Sequence, residues 1–164
     1  MADANQTSPI MNSYSRLPVS FERGEGARLW DSEGHEYLDA LGGIAVCALG
    51  HCHPEITAAI TQQAQTLLHT SNLFAVDNQH NLAQKLCEIS GMEAVFFGNS
   101  GAEANEAAIK LTRLHAEKKG IDQPTVITFE GSFHGRTMAT LSATGNTKVH
   151  NGFSPLVELS LIHI

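Results

Sequence analysis

The stretch Ala94-Val95-Phe96-Phe97-Gly98-Asn99-Ser100-Gly101-Ala102-Glu103-Ala104-Asn105-Glu106 runs from four apolar residues through a turn of small ones into a helical pattern. A short apolar run bounded by a turn predicts a buried strand. From Ala102 to Lys118, Ala104, Ala108, Leu111 and His115 recur at helical spacing and share a face. Thr125-Val126-Ile127-Thr128-Phe129, β-branched and aromatic, predicts the next strand. Strand, helix and strand in that order make a βαβ unit with parallel strands and a right-handed crossover, so the fold class expected is α/β.

Upstream, a helix is expected over about 54–68, with Pro54 in a favourable first-turn position and Ile56, Ile60, Ala64 and Leu67 on one face. A second amphipathic helix over 77–90 gathers Leu82, Leu86 and Ile89 and stops before Gly91. Earlier still, Asp31-Ser32-Glu33-Gly34 predicts a turn joining residues 27–30 and 36–39 in a short hairpin. Gly42-Gly43 and Gly50 bracket an apolar loop, Ile44 to Leu49, and residues 1–24, polar and interrupted by Pro9 and Pro18, read as an extended arm. The expected organisation is an arm and hairpin over 1–53, the start of a larger sheet domain over 54–158, and a short tail over 159–164. Two parallel strands leave an open edge and an uncovered face, so the chain is expected to be a fragment.

Composition narrows the function. The chain has 164 residues, 10 Lys+Arg against 17 Asp+Glu and a net charge of −7. That balance argues against nucleic acid, whose binding needs clustered cations. The most apolar stretch, Leu41 to Leu49, contains two glycines and is far shorter than the ~20 residues a bilayer helix needs, so no membrane partner is expected. No basic residue precedes an apolar run in residues 1–12, which predicts a cytoplasmic protein. Cys47, Cys52 and Cys87 read as free thiols. His51-Cys52-His53 alternates direction along an extended segment and has no second Cys/His pair at zinc spacing, so no metal site is expected.

Two clusters carry chemistry. Gly98-Asn99-Ser100-Gly101-Ala102 lies where a strand gives way to a helix, a place where unpaired N–H groups meet the positive end of a helix dipole. Such a turn suits a phosphate monoester. It is neither a P-loop nor G-x-G-x-x-G, and Ser100 with Glu103 also has the spacing of a capping box, which needs no ligand. Spacing does not choose between the two. Glu103 and Glu106 would repel a dianion if they faced it. The second cluster, Gly131-Ser132-Phe133-His134-Gly135-Arg136-Thr137, follows the strand ending near Phe129. In a parallel sheet, ligands bind beyond the carboxyl ends of strands, so the clusters should be neighbours. There a ring could stack on a planar group and a guanidinium could pair with a carboxylate; the alternative is a packed Phe133 and a surface Arg136.

The run Phe97-Gly98-Asn99-Ser100-Gly101-Ala102-Glu103-Ala104-Asn105-Glu106-Ala107-Ala108-Ile109-Lys110-Leu111, with Phe133-His134-Gly135-Arg136-Thr137, resembles the class III aminotransferases of the pyridoxal-phosphate fold type I. Further matches are Arg23-Gly24-Glu25-Gly26, Leu29-Trp30-Asp31, Gly42-Gly43-Ile44-Ala45-Val46, Leu49-Gly50-His51-Cys52-His53-Pro54 and His69-Thr70-Ser71-Asn72-Leu73-Phe74. The resemblance implies pyridoxal 5'-phosphate as cofactor, with Ser100, Gly101 and Ala102 on its phosphate and Phe133 on its pyridine ring. It implies Arg136 on the substrate α-carboxylate, N-acetylornithine and 2-oxoglutarate as substrates, and a homodimer to which residues 69–74 contribute. Succinylornithine, ornithine or 4-aminobutyrate remain alternative donors, as does a non-catalytic phosphate-binding fragment. The family's Schiff-base lysine is expected downstream: none of the five lysines, Lys85, Lys110, Lys118, Lys119 and Lys148, matches its segment. The likeness stops at Glu158. Leu159-Ser160-Leu161-Ile162-His163-Ile164 is similar to the translation of a transposon-end sequencing adaptor and is expected to be foreign to the gene.

Overall fold

Asp31 bends the chain by accepting, at one carboxylate oxygen, the amides of Glu33 and His35, both at 2.9 Å, and Gly34 completes the turn at φ +86°, a backbone angle glycine adopts at no steric cost. The computed structural model describes residues 9–158 and 161–164, with the side chains of 161–163 left outside that description. The turn joins β2 (Arg28–Asp31) to β3 (Glu36–Leu38) as an antiparallel hairpin. A further strand, β1 (Phe21–Glu25), pairs antiparallel with β2. The sequence placed these residues in the arm; they belong to a three-stranded sheet of order β1-β2-β3. FERGE lacks the alternation that marks a strand, and only pairing with β2 makes it one.

Contacts divide the chain into two units, Met1–Phe74 and Ala75–Ile164. The first holds the sheet, the short α1 (Gly42–Ala45) and α2 (Pro54–Thr66). Residues 44 and 45, expected in an apolar loop, lie in α1. This is a left-handed turn, with φ of +57° at Gly42, +65° at Gly43, +62° at Ile44 and +63° at Ala45. The second unit begins with α3 (Asp77–Ser90), which ends on a left-handed Gly91, and continues through α4 (Gly101–Lys118), β4 (Val126–Thr128), α5 (Met138–Ala143), a 3₁₀ turn (Thr147–His150) and β5 (Leu161–His163). The predicted strand over 94–97 is not formed among the described residues, and β4 instead pairs in parallel with β5. Four apolar residues are a strand only where a neighbour supplies the ladder, and composition does not say which neighbour. Leu161–His163 lies within the tail expected to be foreign, and residues 159–160 of that tail fall outside the description.

The buried set described is small. Ile109 and Ala116 of α4, with Thr140, Leu141, Ser142 and Ala143 of α5, which packs on it, Thr144 after α5 and Thr128 of β4, form it. Ile56, Ile60 and Leu67 of the first predicted apolar stripe, and Leu82 and Ile89 of the second, are exposed. Among the described residues, no helix is long and apolar enough to cross a membrane.

Candidate functional site: the start of α4 and the loop after β4

Helix α4 starts at Gly101 because Ser100, in an extended conformation, caps it: its hydroxyl accepts the Glu103 amide at 3.2 Å. Helical hydrogen bonding begins at the Ala104 amide, which donates to the Ser100 carbonyl at 3.1 Å. The amides of Gly101 and Ala102 precede that first bond and have no helical acceptor. At Gly101 the side-chain position is open, with nothing within 4 Å of where a Cβ would be. The Glu103 carboxylate folds back to accept the backbone and side-chain N–H groups of Asn99. So half of the capping-box reading is realised at Ser100, while the two amides that suit an anion remain available.

The loop after β4 is built from threonines. The Thr144 hydroxyl accepts the His134 amide at 3.1 Å and donates to the Thr140 carbonyl at 2.9 Å. The Thr140 hydroxyl accepts the Thr137 amide at 3.1 Å, which fixes the start of α5. Gly135, at φ +139°, is buried against Ala102: a Cβ there would stand 2.8 Å from Ala102 Cβ and 2.5 Å from Thr140 Oγ1. The two clusters therefore meet at Ala102 and Gly135, and only glycine lets the loop come so close. Phe133 is 65% exposed, presenting a ring rather than packing one. The Arg136 guanidinium carbon lies 5.7 Å from its centroid, within cation–π range.

Two polar side chains anchor the loop in a way the sequence did not announce, Glu106 having been weighed only as a charge that would repel a dianion if it faced one. Asn105 Nδ2 donates to the His134 carbonyl at 2.7 Å, and the Thr137 hydroxyl donates to the Glu106 carboxylate. Glu106 is thus engaged with the loop. Their one signal was a pair of polar residues interrupting the alanines of α4.

The lysines are dispersed: Lys110 and Lys118 on α4, Lys119 at its end, Lys148 in the 3₁₀ turn, and Lys85 on α3, 3.3 Å from Glu88. A cleft of about 1040 Å³ between Arg113, Ile121, Pro124, Ser142 and His150 includes none of the expected site residues. In the first unit, His51 Nε2 donates to Asp39 at 2.6 Å, while His53 Nδ1 is buried without a partner. No group of three metal-ligating side chains occurs among the described residues, and Cys47, Cys52 and Cys87 are free thiols.

The site is thus a helix start with two amides outside the helical ladder, packed on a loop that carries a ring and a guanidinium. The profile of the family described as aminotransferase class-III matches residues 10–163, and the chain belongs to that family. Relatives narrow the likeness. The chain is 59% identical over 150 residues to the acetylornithine aminotransferase of Nitrosomonas europaea, covering 92% of this chain and 38% of that protein. It is 50% identical over 158 residues to that of Prochlorococcus marinus, covering 94% and 38%. Among solved structures, the ornithine aminotransferase from Toxoplasma gondii superposes with a TM-score of 0.89 at 34% identity, over 95% of this chain and 37% of that one. The N-acetylornithine aminotransferase from Stenotrophomonas maltophilia gives 0.70 at 50% identity, over 73% and 34%. A second Toxoplasma gondii structure has PLP at partial occupancy in its active site. The chain spans about 38% of the length of the curated relatives it matches.

Proposed function

We propose that this chain carries the phosphate- and ring-binding part of a pyridoxal-phosphate site of fold type I, in a protein that moves the terminal amino group of N-acetylornithine to 2-oxoglutarate. The observation that carries the reading is the meeting of the open Gly101 and Ala102 amides with the Phe133–Arg136 loop at a glycine contact. The donor set fits a phosphate monoester: two helix-start amides, the Ser100 hydroxyl, and open space before Gly101. Phe133 covers the pyridine ring, and Arg136 offers a fork matched to the substrate's α-carboxylate. The bound cofactor supplies the electron sink that amino transfer requires. Residues of this chain hold and orient; none of its lysines stands at the site. The 164-residue chain by itself is therefore expected to bind the cofactor weakly and not to transaminate. The same reading makes the whole protein a homodimer.

Acetylornithine as donor is supported by the 50–59% identity to acetylornithine aminotransferases. Ornithine is the second reading, favoured by the 0.89 TM-score to an ornithine aminotransferase. A pyridoxal-phosphate titration followed by thermal shift tests the cofactor, because a ligand bound only by the folded state raises the melting temperature. Wild type is expected to respond to pyridoxal phosphate and not to pyridoxal, and Phe133→Ala to weaken the response. Equal responses to both compounds would overturn the phosphate assignment. Substrate profiling of a version as long as the relatives decides the donor, preference for unacylated ornithine favouring the second reading.

A further inference from the structure

Asn105 and Glu106 sit one turn into α4, past every residue that holding a phosphate requires. On a solvent-facing helix both side chains would be satisfied by water. Here Asn105 grips the His134 carbonyl and Glu106 receives the Thr137 hydroxyl. The two bonds bracket Gly135 and Arg136, and Gly135 is itself wedged between Ala102 and Thr140. Three points of attachment over four residues leave the loop no slack relative to α4. The opposite end of that short stretch of helix is where the open amides lie.

We propose that Asn105 and Glu106 are positioning residues that lock the loop carrying Phe133 and Arg136 to the phosphate-facing end of α4, so that loop order and phosphate occupancy are coupled. The proposal rests on the cofactor reading above. Ordering the loop lowers the cost of binding, and by linkage binding orders the loop. A carboxylate is needed at 106 only as an acceptor for the Thr137 hydroxyl, so an amide oxygen replaces it; an amide N–H is needed at 105, so an aspartate does not.

Amide hydrogen exchange on the 164-residue chain tests this, with pyridoxal phosphate as probe. In wild type the probe slows exchange both at residues 98–104 and at 131–138, the latter by about tenfold, a coupling of ordinary size. In the double variant Asn105→Ala, Glu106→Ala, protection at 98–104 persists and the effect at 131–138 is lost. Glu106→Gln keeps it, and Asn105→Asp loses part of it. Retention of probe-dependent protection at 131–138 in the double variant overturns the proposal, as does Glu106→Gln behaving like Glu106→Ala. If the double variant also loses protection at 111–118, the single Glu106→Ala chain decides by the same criterion. If wild type shows no probe effect at 98–104, the cofactor reading fails. The lock is then judged without ligand, where faster exchange at 131–138 in the double variant supports it and unchanged exchange overturns it.

Discussion

Two glycine-bearing turns, one in each unit, treat their backbone amides in opposite ways. At α1 the Asp39 carboxylate accepts the Leu41 and Gly42 amides, both at 2.9 Å, as well as the His51 ring. At α4 the Ser100 hydroxyl accepts the Glu103 amide and leaves those of Gly101 and Ala102 without an acceptor in the helix, next to an open side-chain position at Gly101. The first turn is strained and filled; the second is relaxed and open. Backbone donors satisfied inside the chain make structure, whereas donors left in front of an open space, beside a ring and a guanidinium, make a receptor. Glycine content alone does not separate the two, since Leu41-Gly42-Gly43 and Ser100-Gly101-Ala102 both carry glycine at a helix start.

The largest effect tests whether the open turn depends on its contact with the loop. Gly135→Ala forces a Cβ into Ala102 and Thr140 at a φ of +139°. Overpacking and backbone strain together are expected to cost about 3 kcal/mol, read as a lowered midpoint in denaturant. A stability close to wild type would show that the two clusters do not meet as described.

Next in size is the response of the filled turn and its neighbouring hairpin to acid. The hydrogen bond from His51, joined by the Gly42 and Leu41 amides, holds the Asp39 carboxyl below its usual value. For Asp31, burial pushes the carboxyl up, but bonds from the His35 amide, the Tyr37 hydroxyl, the His35 ring and the Glu33 amide outweigh it and bring it down to about 2. Both values are depressed on folding. Their stabilisation is therefore complete above the ordinary carboxylate value near 3.8 and is lost as pH falls below it, for Asp31 through about 2. Amide exchange over residues 21–51 is expected to accelerate across that window. In Asp31→Asn and Asp39→Asn chains the acceleration should flatten; an unchanged pH profile in both would contradict the assignment.

A third experiment separates cap from receptor at Ser100. Replacing the hydroxyl by Ala removes a helix cap at a cost of about 1 kcal/mol and removes a phosphate donor as well. Ser100→Asp restores the cap, since aspartate caps as well as serine, yet sets a carboxylate where the phosphate would lie. It is expected to regain the stability and to bind pyridoxal phosphate at least about tenfold more weakly than wild type, a penalty near the 1.4 kcal/mol that charge repulsion at a helix start readily supplies. Wild-type affinity in that variant would leave Ser100 a cap and nothing more.

Much of this was legible locally. Pro54, Gly91 and the Ser100–Glu103 spacing mark helix ends through φ constraints and capping chemistry that act within a few residues, and α2 begins, α3 ends and α4 begins where those residues say. What was not legible depends on partners distant in sequence. β1 exists because β2 pairs with it, the strand expected over 94–97 lacks such a neighbour among the described residues, and α5, six residues long, is too short to show a period. The site followed the same rule. Ser100, Phe133 and Arg136 announced themselves by residue type and position after predicted strands, whereas Asn105 and Glu106 matter only through a loop some thirty positions away, at separations of 29 and 31 residues.

The smallest effect has the least expected sign. Ile44 is β-branched and sits at φ +62°, where a Cβ costs roughly 1–2 kcal/mol. Glycine there removes that cost and adds backbone freedom to the unfolded chain worth about 0.4–1 kcal/mol. Ile44 is 81% exposed, so little packing is lost. The net gain expected for Ile44→Gly is about 0.5 kcal/mol, read as a raised melting temperature. That gain requires the turn to stay left-handed, which is the work of the Asp39 carboxylate. In an Asp39→Ala background the turn is released to right-handed geometry, where glycine only adds unfolded-state entropy, and the same substitution should destabilise. An equal gain in both backgrounds would show that the left-handed turn holds its shape without the carboxylate, and the contrast between a filled turn and an open one would lose its cause.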